Sequence, residues 1–113
     1  PGANAPATPT ADYLYRDNII KAWCAVTFSA GTPGIDDDVN VSSLTDDGVG
    51  LTTVNFATAF DNATFAATAS ARSDTTGLMI IINVKATGSV QIATRNDVGN
   101  LTDMNFDVMC VGD

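Results

Sequence analysis

The chain has 113 residues and a formal net charge of -8, from five Lys+Arg against thirteen acids, and it contains no histidine. That charge lacks the basic field that draws nucleic-acid phosphates. Without histidine there is no Ser-His-Asp or Cys-His nucleophile system and no histidine metal site. The length is that of one domain.

All thirteen acids are aspartate and none is glutamate. With lysine also scarce, the surface lacks the usual exposed helix formers, while Thr, Val, Ile and Asn favour strands and turns. An all-β protein is predicted. The most apolar run, residues 78–84, has strand length and falls far short of the roughly 20 residues that span a bilayer as a helix. The first residues show neither the basic start nor the apolar centre of a signal peptide. No membrane insertion and no cofactor are predicted.

Residues 1–18 are rich in Pro, Ala and Thr and read as an extended arm or linker, with residues 19–113 as the folded domain. From Ile19 the pattern becomes period two. Ile20, Ala22, Cys24, Val26 and Phe28 share an apolar face, opposite Lys21, Trp23, Ala25 and Thr27. Residues 29–38, with Gly31, Pro33, Gly34 and three consecutive Asp, read as a loop. A second strand is predicted over 39–45, with Val39 and Val41 on one face. A turn follows at 46–50 around Asp47-Gly48, and the return strand at 52–56 points Val54 and Phe56 inward.

A strand over 64–72 then alternates Phe65, Ala67, Ala69 and Ala71 against polar and small residues. Residues 73–77 are a turn. Strands 78–86 and 89–95 form a tight hairpin through Thr87-Gly88. Residues 96–103 are a polar loop, and the last strand turns Met104, Phe106, Val108 and Cys110 inward and Asn105, Asp107 and Met109 outward. About seven or eight strands at regular spacing predict an antiparallel β-sandwich, jelly-roll-like in winding.

Cys24 and Cys110 fall within apolar alternating runs near opposite ends of the chain. They read either as two buried reduced thiols or as a staple between the first and last strands, which requires Cα atoms within about 7 Å. Asp36, Asp37 and Asp38, running into Asn40 and Ser42, place oxygen ligands at alternate positions as a calcium loop does. An EF-hand would need Gly where Val41 stands and Glu where Asp47 stands. A solvated acidic loop is the better reading, and no metal is assigned. Asp74-Thr75-Thr76-Gly77 echoes the Asp-Thr-Gly of aspartic proteases, but one residue is inserted and no second copy exists, so no catalytic residue is assigned. Three Asn-x-Ser/Thr matches, at Asn40, Asn62 and Asn100, are expected by chance in so Asn- and Thr-rich a chain.

Trp23, Tyr13 and Tyr15 are the residues that could stack on a sugar. The competing reading packs Trp23 against the arm or a neighbouring subunit. Either way, Trp23 beside Lys21 and Ala25 makes an unusually apolar outer face, of the kind that marks an interaction surface.

Two segments resemble a recurrent module of bacteriophage tail fibres, common among marine phages. One is Lys21-Ala22-Trp23. The other is Asp38-Val39-Asn40-Val41-Ser42-Ser43-Leu44-Thr45-Asp46-Asp47-Gly48-Val49-Gly50 running into Thr53-Val54-Asn55-Phe56-Ala57-Thr58-Ala59-Phe60. Family members read Lys-Ala-Trp, then Asn-Val-Ser-Ser-Ile-Thr-Asp-Asn-Gly-Thr-Gly and Thr-Val-Asn-Phe, and end in Gly-Asp as Gly112-Asp113 does. The similarity covers roughly residues 21–113, with Leu51 and Thr52 departing from it.

The resemblance implies a non-enzymatic virion structural protein: a homotrimeric tip domain that contacts other virion proteins and a glycan or protein receptor on the host surface. Capsid decoration or a head fibre is the alternative, and a carbohydrate-binding module the second. Binding candidates are Trp23 and loop residues Asp36, Asp37, Asp38, Asp46, Asp47, Asp74, Thr75, Asp97 and Asn100.

Overall fold

The computed structural model describes residues 20–72 and 78–112. The predicted arm over residues 1–18 and the turn at 73–77, with Asp74 and Thr75, lie outside the described residues. The described chain forms eight strands: β1 (Ile20–Ser29), β2 (Thr32–Val39), β3 (Val41–Gly48), β4 (Leu51–Phe56), β5 (Ala66–Ala71), β6 (Met79–Ala86), β7 (Ser89–Arg95) and β8 (Phe106–Val111). They make two four-stranded antiparallel sheets, ordered β2-β1-β8-β5 and β3-β4-β7-β6. No helix among the described residues is long and apolar enough to cross a membrane.

The alternation that predicted β1 and β8 fixes the core. Ala22, Cys24 and Val26 of β1 and Phe106, Val108 and Cys110 of β8 are all buried. They face Val54 and Phe56 of β4 and Val90 and Ile92 of β7 across the sandwich. Fully burying side chains such as Phe106, Ile92 and Val26 stabilises by roughly 1.5–3 kcal/mol each. Beyond the strands, Phe60 and Phe65 close one end of the core against Phe56, with ring centroids 4.3–5.7 Å apart. The Lys21 and Lys85 ammonium groups lie over the Phe60 and Phe65 rings, at 4.9 and 5.5 Å.

Three expectations are corrected. Residues 32–39 are strand β2, not loop: Ala30 and Gly31, both at positive φ, form a two-residue turn that pairs Ser29 with Thr32. Pro33, Gly34 and three aspartates would break a central strand, but β2 is a sheet edge, where proline and charge are tolerated and deter pairing with another chain. Val39 and Val41 do not share a strand. Asn40, at φ 58°, turns a corner that leaves Val39 on the edge of one sheet and starts β3 in the other. The Asn40 side chain holds that corner, accepting the Thr58 N–H at 2.7 Å and donating to the Thr58 carbonyl at 3.0 Å. The β3–β4 turn also sits later than expected, on Val49-Gly50 with Gly48 paired to Leu51.

Edge strands β2, β3 and β6 each contain register shifts that leave a polar residue unpaired in the ladder. The residues are Asp36 in β2, Ser42 and Asp47 in β3, and Asn83 in β6. Bulges re-aim side chains and spoil an edge as a template for a further strand. Each of these four finds a local partner. Asp36 accepts from Thr27 and Arg72, and Ser42 donates to the Asn55 carbonyl. Asp47 accepts from Thr53 and Gln91, and Asn83 donates to Gln91.

Candidate functional site

The two ends of the sandwich differ. At one end β1 begins and β8 finishes, with Ile20 paired to Val111, so the described chain enters and leaves side by side. The opposite end gathers the β1–β2 turn, the β3–β4 turn and the 96–103 loop. Asp103 joins them. Its Oδ1 accepts the Gly50 N–H at 2.8 Å, and a methyl on Gly31 would lie 3.7 Å from its Oδ2.

Gly50 is required there. Its φ is +71°, and an added Cβ would meet the Thr94 carbonyl oxygen at 2.6 Å and the Thr102 nitrogen at 2.7 Å. The loop is ordered by Asn96, whose Oδ1 accepts the Val98 and Asn100 N–H groups at 3.1 and 3.0 Å. Arg95 donates to the Gly99 carbonyl at 2.8 Å. On this frame Val49 and Val98 project at 61% and 73% exposure, beside exposed Asp46, Asp47 and Asp97.

The candidate residues therefore separate into three places. Asp46, Asp47, Asp97 and Asn100 belong to the loop-bearing end. Asp46 Oδ1 accepts the Gly48 N–H at 3.1 Å and shapes the turn, while Asp97 and Asn100 are exposed. Hydrogen bonds from Thr53, and secondarily from Gln91, hold the Asp47 carboxyl below its ordinary pKa of 3.8.

Asp36, Asp37 and Asp38 lie apart from these, along edge strand β2. Asp36 is bridged by Arg72 at 3.2 Å, and Arg72 also reaches Asp107 at 2.9 Å and the Val26 carbonyl at 2.7 Å. One guanidinium thus ties β2, β1 and β8 together. Asp38 accepts the Val41 N–H at 3.1 Å and braces the Asn40 corner, and Asp37 accepts the Asp38 N–H at 2.9 Å. Among the described residues no three cysteine or aspartate side chains cluster as metal ligands would.

Trp23 stands in the third place, the outer face of the β2-β1-β8-β5 sheet. It is paired with Met109 of β8, which is paired in turn with Thr68 of β5; the next row is Ala25, Asp107 and Ser70. The small side chains of Ala25, Thr68 and Ser70 beside the Trp23–Met109 pair leave a cleft of about 430 Å³, lined mostly by apolar surface. No family model matches the chain, and no curated protein or solved structure does.

Sequence reasoning missed Met109 as Trp23's partner, Val49 and Val98 as exposed apolar tips, and Asp103 as the link between turns. The outward position of Met109 was legible from alternation. Its adjacency to Trp23 depends on the register between the first and last strands.

Proposed function

We propose that the chain is the exposed tip domain of a bacteriophage tail-fibre or related appendage protein, a virion structural protein that attaches the particle to the host-cell surface as a homotrimer. The observation that carries this reading is the polarity of the sandwich. Chain entry and exit share one end, at Ile20 and Val111, while Val49 and Val98 project from acidic turns at the other. A domain tethered at one end and displaying ordered loops at the opposite end suits attachment, because loops on a rigid sandwich commonly carry binding. Exposed apolar tips can bury surface against a receptor, the surrounding aspartates keep multivalent particles apart, and three copies multiply weak contacts. The segments that resemble tail fibres fall in β1 and the β3–β4 hairpin, the elements that build this frame.

The test is antibody raised against the chain and applied to virions whose genome encodes it. Labelling at the distal ends of appendages, a trimer mass by light scattering, and host-cell binding lost in a Val49→Ser/Val98→Ser variant that remains folded would sustain the reading. Uniform capsid labelling would make it a decoration or head-fibre protein. Sugar binding by a monomer without virion association would make it a carbohydrate-binding module.

A further inference from the structure

Each outer face of the sandwich carries an apolar feature, one hollow and one raised. On the β2-β1-β8-β5 sheet it is the cleft beside Trp23 and Met109, lined on one side by Thr68 and Ser70 of edge strand β5. On the β3-β4-β7-β6 sheet it is a ridge on edge strand β6, where Met79, Ile81 and Val84 stand 43%, 41% and 53% exposed. We propose that the ridge of one copy seats in the cleft of the next, and that this contact, repeated around an axis beside the β5–β6 flank, builds the homotrimer. The inference rests on the homotrimer of the proposed function and names the surfaces that hold it.

Three observations carry it. The first is the aim of the ridge. Ile80 and Ile82 pack against the core, so alternation turns Met79 and Ile81 outward. Strict alternation would then turn Val84 inward. The register shift between Ile82 and Val84 instead pairs Val84 with outward Gln91, so the bulge sets a third apolar side chain on the face of Ile81.

The second observation is fit. The cleft is hollow because Ala25, Thr68 and Ser70 are small, and the ridge is a row of large aliphatic side chains. Seating one in the other removes both apolar surfaces from water at once.

The third is charge. β5 and β6 contain no acid, and their one charged residue is Lys85, in a chain with thirteen aspartates. The opposite flank is built from β2 and β3, which carry Asp36, Asp37, Asp38, Asp46 and Asp47. Copies of net charge -8 repel one another, and they meet with least repulsion at the acid-free flank. Asp107, in the cleft lining, is bridged by Arg72 at 2.9 Å.

Ridge and cleft are different surfaces of one chain, so the contact is heterologous and passes from copy to copy. Both border the flank where β5 and β6 edge their sheets. The two neighbours of any copy therefore stand on either side of that flank, and the succession turns back on itself as a ring.

Cysteine cross-linking tests the contact, with Thr68→Cys for the cleft and Ile81→Cys for the ridge. Both positions are exposed, and each variant is checked for the native sheet signal by circular dichroism. Neither single variant is expected to link to itself under diamide. An equimolar mixture should give a covalent dimer, and a chain carrying both cysteines a ladder that ends at the trimer. The single tryptophan supplies a second readout. Ile81→Asp/Val84→Asp lies on the opposite sheet from Trp23, yet it should red-shift Trp23 emission and raise its acrylamide quenching, because it empties the neighbour's cleft.

A trimer by light scattering whose mixed variants fail to link, with Trp23 quenching unchanged by the double aspartate variant, would overturn the contact and leave the homotrimer standing. Thr68→Cys linking to itself would also overturn it, by placing two clefts face to face, as would a ladder running past the trimer. A monomer at every concentration would overturn both this contact and the homotrimer.

Discussion

The Asp103 carboxylate accepts the Gly50 backbone N–H at 2.8 Å, joining the 96–103 loop to the β3–β4 turn. Gly50 is buried, so removing its acceptor strands a donor with little access to water. Asp103→Ala should cost about 1–3 kcal/mol in urea unfolding, and Asp103→Asn, which keeps an oxygen acceptor, clearly less. Gly50→Ala should be the worst of the three, since its Cβ would meet backbone atoms at 2.6 and 2.7 Å in a conformation L residues avoid. Equal stability for Asp103→Ala and the parent would show that the turn does not depend on this bond.

Ala30 sits at φ 51° beside Gly31 at 82° in the β1–β2 turn. That pair of angles is the two-residue hairpin turn for which Asn-Gly is preferred, and an alanine there carries the left-handed penalty without compensation. Ala30→Asn should therefore stabilise the protein by about 0.5–1 kcal/mol, read as an upward shift in melting temperature. Asn40, at φ 58°, already has the favoured residue, so Asn40→Ala should destabilise and also lose both bonds to Thr58. A lower melting temperature for Ala30→Asn would contradict the assigned turn.

These positions show what could be read from the residues. Where a strand is buried on one face, alternation determines its inner face, so Ala22, Cys24 and Val26 and Phe106, Val108 and Cys110 were assignable to the core in advance. The tight hairpin at Thr87-Gly88 was equally legible, because both flanking runs alternate up to the turn. β2 was not. Its edge position frees it from the pattern of a half-buried strand, and Pro33, Gly34 and Asp36–Asp38 mimic a loop. The acidic loop end was partly legible through Asp46, Asp47, Asp97 and Asn100. The cleft was not, since it exists only where register sets Trp23 opposite Met109. Trp23 had nevertheless signalled it, as the one large apolar side chain on the outward face of β1.

Asp47 occupies the extra position of a β3 bulge and accepts from Thr53 and Gln91. Its carboxyl titrates below the ordinary 3.8, chiefly through the Thr53 hydroxyl. A depressed folded-state pKa means that any stabilisation is present above the unfolded value and is lost as pH falls through the folded value. For so exposed a group that loss is small, and the titration itself is the better readout. Carbon-detected NMR should place the Asp47 midpoint below 3.8, with Thr53→Val raising it more than Gln91→Ala does. A midpoint indifferent to both substitutions would remove the hydrogen bonds as its cause.

Cys24 and Cys110 lie on the inner face of adjacent strands but not opposite each other: Cys24 pairs with Val108, and Ala22 with Cys110. Both are buried and free, which fits the reading of two small core side chains rather than a staple. Burial pushes the Cys24 thiol from 9.0 up to about 12, aided by Asp38, Asp36 and Asp107. Burial also raises Cys110 to about 11, with Lys85 pulling slightly the other way. Because the folded values exceed the unfolded one, the unfolded chain gives up these protons first as pH rises past 9.0. The contribution of the two thiols to stability is therefore complete below that pH and declines progressively toward pH 11–12. Urea midpoints should fall more steeply from neutral to alkaline pH for the parent than for Cys24→Ala/Cys110→Ala, whose neutral-pH midpoint should itself be lower. Native protein should also resist a thiol reagent that labels both cysteines at once in urea, since the thiolate is the reacting form. Labelling of the folded protein at the rate of the unfolded chain would mean that the β1–β8 core opens freely to solvent.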